Sequence, residues 1–214
     1  MLSGEINFET RWLDDSQKRA QVEQPVISAI DLSADVGLVS VGLVTVNLLL
    51  GLMIALRYSP VRYWPHRHFN YFRLHNWTGY ILLGTSILHP LILLFSSTAR
   101  FRLLDVIYPV HSPSQPLDNT IGAIALYLLA VVVVTSYLRV RLGRKTWKAF
   151  HFLVYAAALA LFWHSIFTDS ELKNSPLDPF DAEKVFIEVC LIAVVGIGLL
   201  RWRHAVRKAR EARS

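Results

Sequence analysis

Leu74–Phe95, LHNWTGYILLGTSILHPLILLF, and Trp147–Phe167, WKAFHFLVYAAALALFWHSIF, decide how this chain is read. At about 1.5 Å per helical residue, each is long enough to cross a hydrocarbon core of about 30 Å. Each carries one histidine near either end: His75 and His89 in the first, His151 and His164 in the second. Imidazole is costly in a membrane interior unless something uses its lone pair. Two helices with two histidines each could hold two haems, one above the other.

The rest of the chain agrees with an integral membrane protein. Of its 214 residues, 53% are hydrophobic, and the mean hydropathy is +0.38, too apolar for an ordinary soluble domain. The single cysteine, Cys190, excludes an internal disulfide and a cysteine-ligated cluster. Residues 1–35 hold seven acids and three bases without an early apolar core, so they read as an extramembrane tail and not as a cleavable signal peptide.

Three further apolar stretches complete the set. Val36–Leu56 is free of charge, and its one strongly polar group, Asn47, is expected to bond to a neighbouring helix. Thr120–Leu138 contains the β-branched run Val131–Thr135; a lone strand would leave its backbone unpaired in lipid, so helix is expected. Val185–Leu200 begins the last span and includes Glu188 and Cys190. The expected fold is an all-α integral membrane protein, a bundle of five transmembrane helices. Its parts are a tail at 1–35, a di-haem transmembrane domain at 36–202 and a basic cytoplasmic tail at 203–214.

Fifteen of the 22 bases fall in 57–73, 139–148 and 201–214. With five spans these segments share one side, while the acidic or neutral segments share the other. The positive-inside rule then places the N-terminus outside and the C-terminus in the cytoplasm of the cell's inner (plasma) membrane. The net charge of +6 is thus a topology signal, and no nucleic-acid partner is implied.

This topology makes the two histidine helices parallel. His75 and His151 lie toward the cytoplasm, and His89 and His164 lie toward the outer face. Each helix's two histidines are separated by roughly 20 Å of rise, which suits two six-coordinate irons better than one zinc or copper ion. His75 and His89 share a helical face. His151 and His164 are about 140° apart on an ideal helix, so helix distortion, tilt or approach from different sides is needed. Arg73 lies at the depth where the propionates of an inner haem would emerge; a plain interface anchor is the other reading. Gly79 and Gly84 stand between the histidines of the second span, where close backbone approach to a porphyrin or simple helix packing would use them. Pro90 is expected to bend the helix at His89, and Glu188 to pair with Lys184.

With H-x13-H at His75/His89, H-x12-H at His151/His164 and the approach LGRKTWKAFHFLVY through Gly143, Trp147, His151 and Tyr155, the chain resembles the ferric reductase-like transmembrane superfamily. That superfamily includes ferric reductases, NADPH oxidases and the haem-binding membrane subunit of the methionine sulfoxide reductase system. The resemblance covers roughly 36–200 and implies haem ligation by the four histidines. Its members usually have six spans with ligands on the third and fifth; here they fall on the second and fourth, as if the first helix were absent. The chain also stops soon after its last span, without flavin and nicotinamide domains, so a separate donor is expected.

The expected function is transmembrane electron transfer through two b-type haems. Electrons would pass from a cytoplasmic flavin or redox protein to an outer acceptor such as ferric iron or a periplasmic redox partner. Two alternatives remain open at this point: a cytochrome b subunit of a quinone-linked respiratory complex, and a non-redox metal transporter. A flavin at the cytoplasmic face is a further candidate cofactor. The topology is checked by reporter fusions, which should place residue 214 inside and residue 1 outside. A cytoplasmic N-terminus would mean that 1–35 contains a sixth membrane segment.

Overall fold

The first helix, α1 (Ala29–Leu56), begins at a reciprocal cap. The Ser28 N–H donates to Asp31 Oδ2 at 3.0 Å, and the Asp31 N–H donates to Ser28 Oγ at 3.1 Å. This capping box satisfies two otherwise orphaned donors, and it starts the helix ahead of the expected Val36. The computed structural model describes residues 28–56, 70–168 and 180–211. Readings that fall on residues 1–27 or on Arg57, Arg62 and Arg67 of the basic segment lie outside the described residues.

Helix α2 (Tyr71–Ile92) is capped by Asn70, whose side chain accepts from the Arg73 N–H. It runs through Pro90 and ends in a 3-10 turn at Leu93–Phe95. The following connection holds only a short helix, α3 (Leu103–Ile107), and a 3-10 turn at Pro109–His111. This segment is pinned to the next span by the Tyr127 hydroxyl, which donates to the Ile107 carbonyl. Helix α4 (Pro116–Tyr137) starts with proline in its first turn, where the missing N–H costs nothing.

The fourth span is two helices, α5 (Arg139–His151) and α6 (Leu153–Phe167). Gly143, at φ 74°, interrupts α5 in a conformation that favours glycine. A second joint falls at Phe152, where the Tyr155 N–H donates to the Phe152 carbonyl in an i→i+3 bond. Helix α7 (Ala182–Glu211) does not stop at the membrane end expected near Leu200; it continues through the basic segment. Among the described residues there are five helical segments long and apolar enough to cross a membrane: α1, α2, α4, α5 with α6, and α7.

Packing sets up the site. Helix α1 packs against α2 and α7, and α4 packs against α5 and α6. Val41 and Val44 of α1, Leu82 of α2, Leu129 of α4, Ala158 and Phe162 of α6, and Ile187 of α7 form the core. The histidine-bearing helices α2 and α6 lack a comparable backbone contact, so side chains bridge the space between them. Polar groups turn inward: Asn47 Nδ2 donates to the His75 carbonyl at 2.6 Å and to Thr78 Oγ1 at 2.8 Å. Other apolar side chains, such as Leu159 and Ile192, are exposed on the outside of the bundle, as a lipid-facing surface requires.

Leu82 is 1% exposed, whereas Ile192 is 70% exposed. Leu82→Ala should therefore destabilise the bundle by about 2–4 kcal/mol, and Ile192→Ala should leave the thermal midpoint in detergent almost unchanged. Equal shifts for the two would contradict this core.

Candidate functional site

Three of the four histidines occupy the same kind of seat. His89 lies across Gly37 of α1, where an added Cβ would come within 3.0 Å of its Nδ1. One turn earlier on α1, the Ser33 carbonyl accepts from His89 Nδ1 at 2.7 Å. His75 repeats the pattern lower on α1: a Cβ on Gly51 would lie 3.2 Å from its Cε1, and the Asn47 carbonyl is 3.1 Å from its Nδ1. His164 repeats it on α4, where a Cβ on Gly122 would lie 2.9 Å from Nδ1 and the Asp118 carbonyl accepts at 2.8 Å.

In each seat glycine stands four residues after the acceptor, so the carbonyl and the bare backbone share one helical face. A helical carbonyl has a second lone pair, and here it is given to imidazole. Facing a carbonyl, Nδ1 must carry the ring proton, which leaves the Nε2 lone pair free to ligate. Ser33 adds a second tie, its hydroxyl donating to the His89 carbonyl at 2.8 Å.

The fourth seat differs. Ser136 of α4, fourteen residues after Gly122, takes the place of the glycine. His151 Nδ1 lies 3.3 Å from Ser136 Oγ, and the indole Nε1 of Trp147 donates to the same hydroxyl at 3.4 Å. The Trp147 ring stacks on His151 with centroids 5.2 Å apart.

The seats bring the rings together in two layers. The centroids of His75 and His151 are 6.2 Å apart at an interplanar angle of 74°, and those of His89 and His164 are 6.2 Å apart at 70°. Metal–imidazole bonds are about 2.0–2.1 Å, and a ring nitrogen lies roughly 1.1 Å from its centroid, so an ion held between two imidazoles separates the centroids by roughly 6 Å. Among the described residues no Nε2 of these four makes a hydrogen bond. No group of three or more His, Cys, Asp or Glu side chains comes together there either. Two imidazoles without further protein ligands suit a metal whose other positions are filled by a porphyrin, and not a four-ligand structural ion. A cavity beside the outer pair is lined by Ser33, Gly37, Ser86, Gly122 and both rings. Ser86 Oγ is buried there without a partner among the described residues.

The other expected site residues fall as follows. Arg73 is on the exposed first turn of α2, two residues before His75. Gly79 meets Asn47 Nδ2, whereas Gly84 has nothing within 4 Å of its Cβ position. Lys184 turns to the end of α6, donating to the carbonyls of Ser165 at 3.0 Å and Thr168 at 2.6 Å, while Glu188 is exposed. His111 sits in the exposed 3-10 turn. Sequence reasoning missed Ser33, Gly37, Gly51, Asp118, Gly122 and Ser136. One signal was available: Gly37 and Gly51 repeat the spacing of His75 and His89.

Searches of curated proteins and of solved structures return no match. The family described as ferric reductase like transmembrane component matches residues 36–162. That match takes in Gly37 and Gly51 of α1, both histidines of α2, all of α4, His151 and α6 as far as Phe162, and it leaves out Ser33 and His164. The chain is a multi-pass membrane protein and belongs to the ferric reductase-like transmembrane family.

Proposed function

We propose that this chain carries electrons across the membrane by holding two haem b groups, one between His75 and His151 and the other between His89 and His164. The observation that carries the reading is the pair of imidazole layers, each with centroids 6.2 Å apart and with its Nε2 atoms left free. A haem supplies reversible one-electron chemistry at its iron when bound. The chain's own residues do the rest. The carbonyls of Ser33, Asn47 and Asp118 hold the Nδ1 protons, which fixes ring orientation and makes Nε2 a better donor. The apolar helix surfaces exclude water from both layers. Arg73 is the cation we assign to the anionic edge of the inner group.

The direction follows from charge. With the N-terminus outside and the C-terminus in the cytoplasm of the plasma membrane, His75 and His151 form the inner layer. Arg139, Arg141, Arg144, Lys145 and Lys148 stand at that end and would draw a reduced flavin or an acidic redox protein, more weakly as salt rises. The acceptor, ferric iron or an outer redox protein, then meets the His89 and His164 end.

A pyridine haemochromogen assay should give about two haems per chain; about one would remove one layer from the proposal. His75→Ala and His151→Ala should lose the same absorption component, and His89→Ala and His164→Ala the other. Gly51→Ala should act like the first set, and Gly122→Ala like the second, because each new Cβ displaces one ring. If His75→Ala and His164→Ala removed the same component, the pairing would be wrong. In proteoliposomes of known orientation, reduced flavin should reduce the haem from the inner face. Reduction from the outer face alone would reverse the direction while leaving the ligands intact.

A further inference from the structure

At the His151 end of the bundle a cleft runs between α1, α6 and α7, with Leu48, Leu52 and Val194 on its walls. Its floor includes Gly198, where nothing lies within 4 Å of an added Cβ. At the rim, Arg201 Nη1 donates to the Tyr155 hydroxyl at 3.3 Å. Tyr155 stacks on Phe152, with centroids 6.1 Å apart and planes at 21°. Lys148 Nζ also lies over the Phe152 ring, 5.6 Å from its centroid.

Two cations thus flank one aromatic step above an apolar cleft. Among the described residues no acid lines it, and the sequence places none in 119–168 or 189–210. Arg201 lies within the span Ala182–Arg203. A guanidinium offers five N–H donors, and among the described residues the phenol is its one hydrogen-bond partner. Neither the haem seats nor the approach of the donor uses Tyr155, Gly198 or Arg201.

We propose that this cleft is a binding site for one anionic phospholipid. An acyl chain lies along Leu48, Leu52 and Val194 and over Gly198, and the phosphate is held by Arg201 and the Tyr155 hydroxyl with Lys148 nearby. The charge balance selects an anionic headgroup: a zwitterionic lipid brings its own cation to a rim that already holds two. The bound lipid braces Phe152, the joint that follows His151, so the inner layer depends on the lipid at its edge.

The test uses the full chain, purified in detergent and stripped of lipid. Native mass spectrometry follows rebinding of phosphatidylglycerol and of phosphatidylcholine with identical acyl chains. One phosphatidylglycerol should be retained with about tenfold lower Kd than phosphatidylcholine. Gly198→Leu, at a position where an added Cβ has nothing within 4 Å, should abolish this retention while helix content and the lipid-free thermal midpoint stay unchanged. Arg201→Gln should erase the preference, and Arg201→Lys should keep most of it. Equal retention of the two lipids, or wild-type retention in Gly198→Leu, would overturn the proposal. So would a neutral quinone retained in place of phospholipid. Displacement by millimolar glycerol phosphate would do the same, since it would reduce the site to one for a free anion.

Discussion

An imidazole inside a lipid bilayer must give its N–H to something, and in this chain it gives it to the spare lone pair of a helical carbonyl. That requirement orders the bundle. The carbonyl belongs to a neighbouring helix, so α1 must lie against α2, and α4 against α6. The ring can reach a helix backbone only where no Cβ stands in the way, so the neighbour must offer glycine one turn beyond the acceptor. Because the Nδ1 atoms are spent on α1 and α4, the Nε2 atoms of the histidines on α2, α5 and α6 are left without a hydrogen bond among the described residues. The space between α2 and α6 is therefore not a packing defect. It is where His75 and His89 meet His151 and His164, and the sparse backbone contact between α2 and α6 follows from the seats on either side.

The same constraint accounts for the spacing. Most membrane helices cross in left-handed bundles, in which 3.5 residues make a turn and fourteen make four. Fourteen separates His75 from His89 on α2, Gly37 from Gly51 on α1, and Gly122 from Ser136 on α4. Each returns to the same face of its helix, one layer lower or higher. The exception is α5 with α6, where His151 and His164 are thirteen apart. A continuous helix would turn one of them away from the gap. The joint at Phe152, with its i→i+3 bond, breaks the regular phase between the two histidines, and both meet their partners at the same centroid distance.

The fold was largely legible because hydropathy and histidine placement are properties of single segments. Leu74–Phe95 and Trp147–Phe167 announce themselves, and the bases at 139–148 mark one end. The start of α1 was not legible in that way: Asp31 and Asp35 read as tail residues, and only the reciprocal bonds of Ser28 and Asp31 show the first turn extending below them. The end of α7 was missed for the opposite reason. Bases stop a hydropathy window but do not stop a helix. The seats were harder still. Gly79 and Gly84 attracted attention because they share a helix with His75 and His89, yet a helix cannot seat its own side chains across a bundle. The glycines that matter lie on α1 and α4, and only the repeated fourteen-residue interval tied them to the histidines in advance.

The one seat without glycine shows why the other three have it. At Gly37, Gly51 and Gly122 a Cβ would stand 2.9–3.2 Å from the ring, tight enough that the ring has to give way. The ring would then leave its carbonyl, and a buried N–H without a partner costs about 1–3 kcal/mol. Alanine has nothing to give in return. Serine does: it brings a Cβ, but also an oxygen at the place to which the ring has been pushed. At Ser136 that oxygen replaces the carbonyl as the neighbour of His151 Nδ1, and Trp147 binds the same hydroxyl and covers the ring face. The inner layer is thus built from one carbonyl seat and one hydroxyl seat, and the outer layer from two carbonyl seats. The two layers share a ring separation, but they are not chemically equivalent.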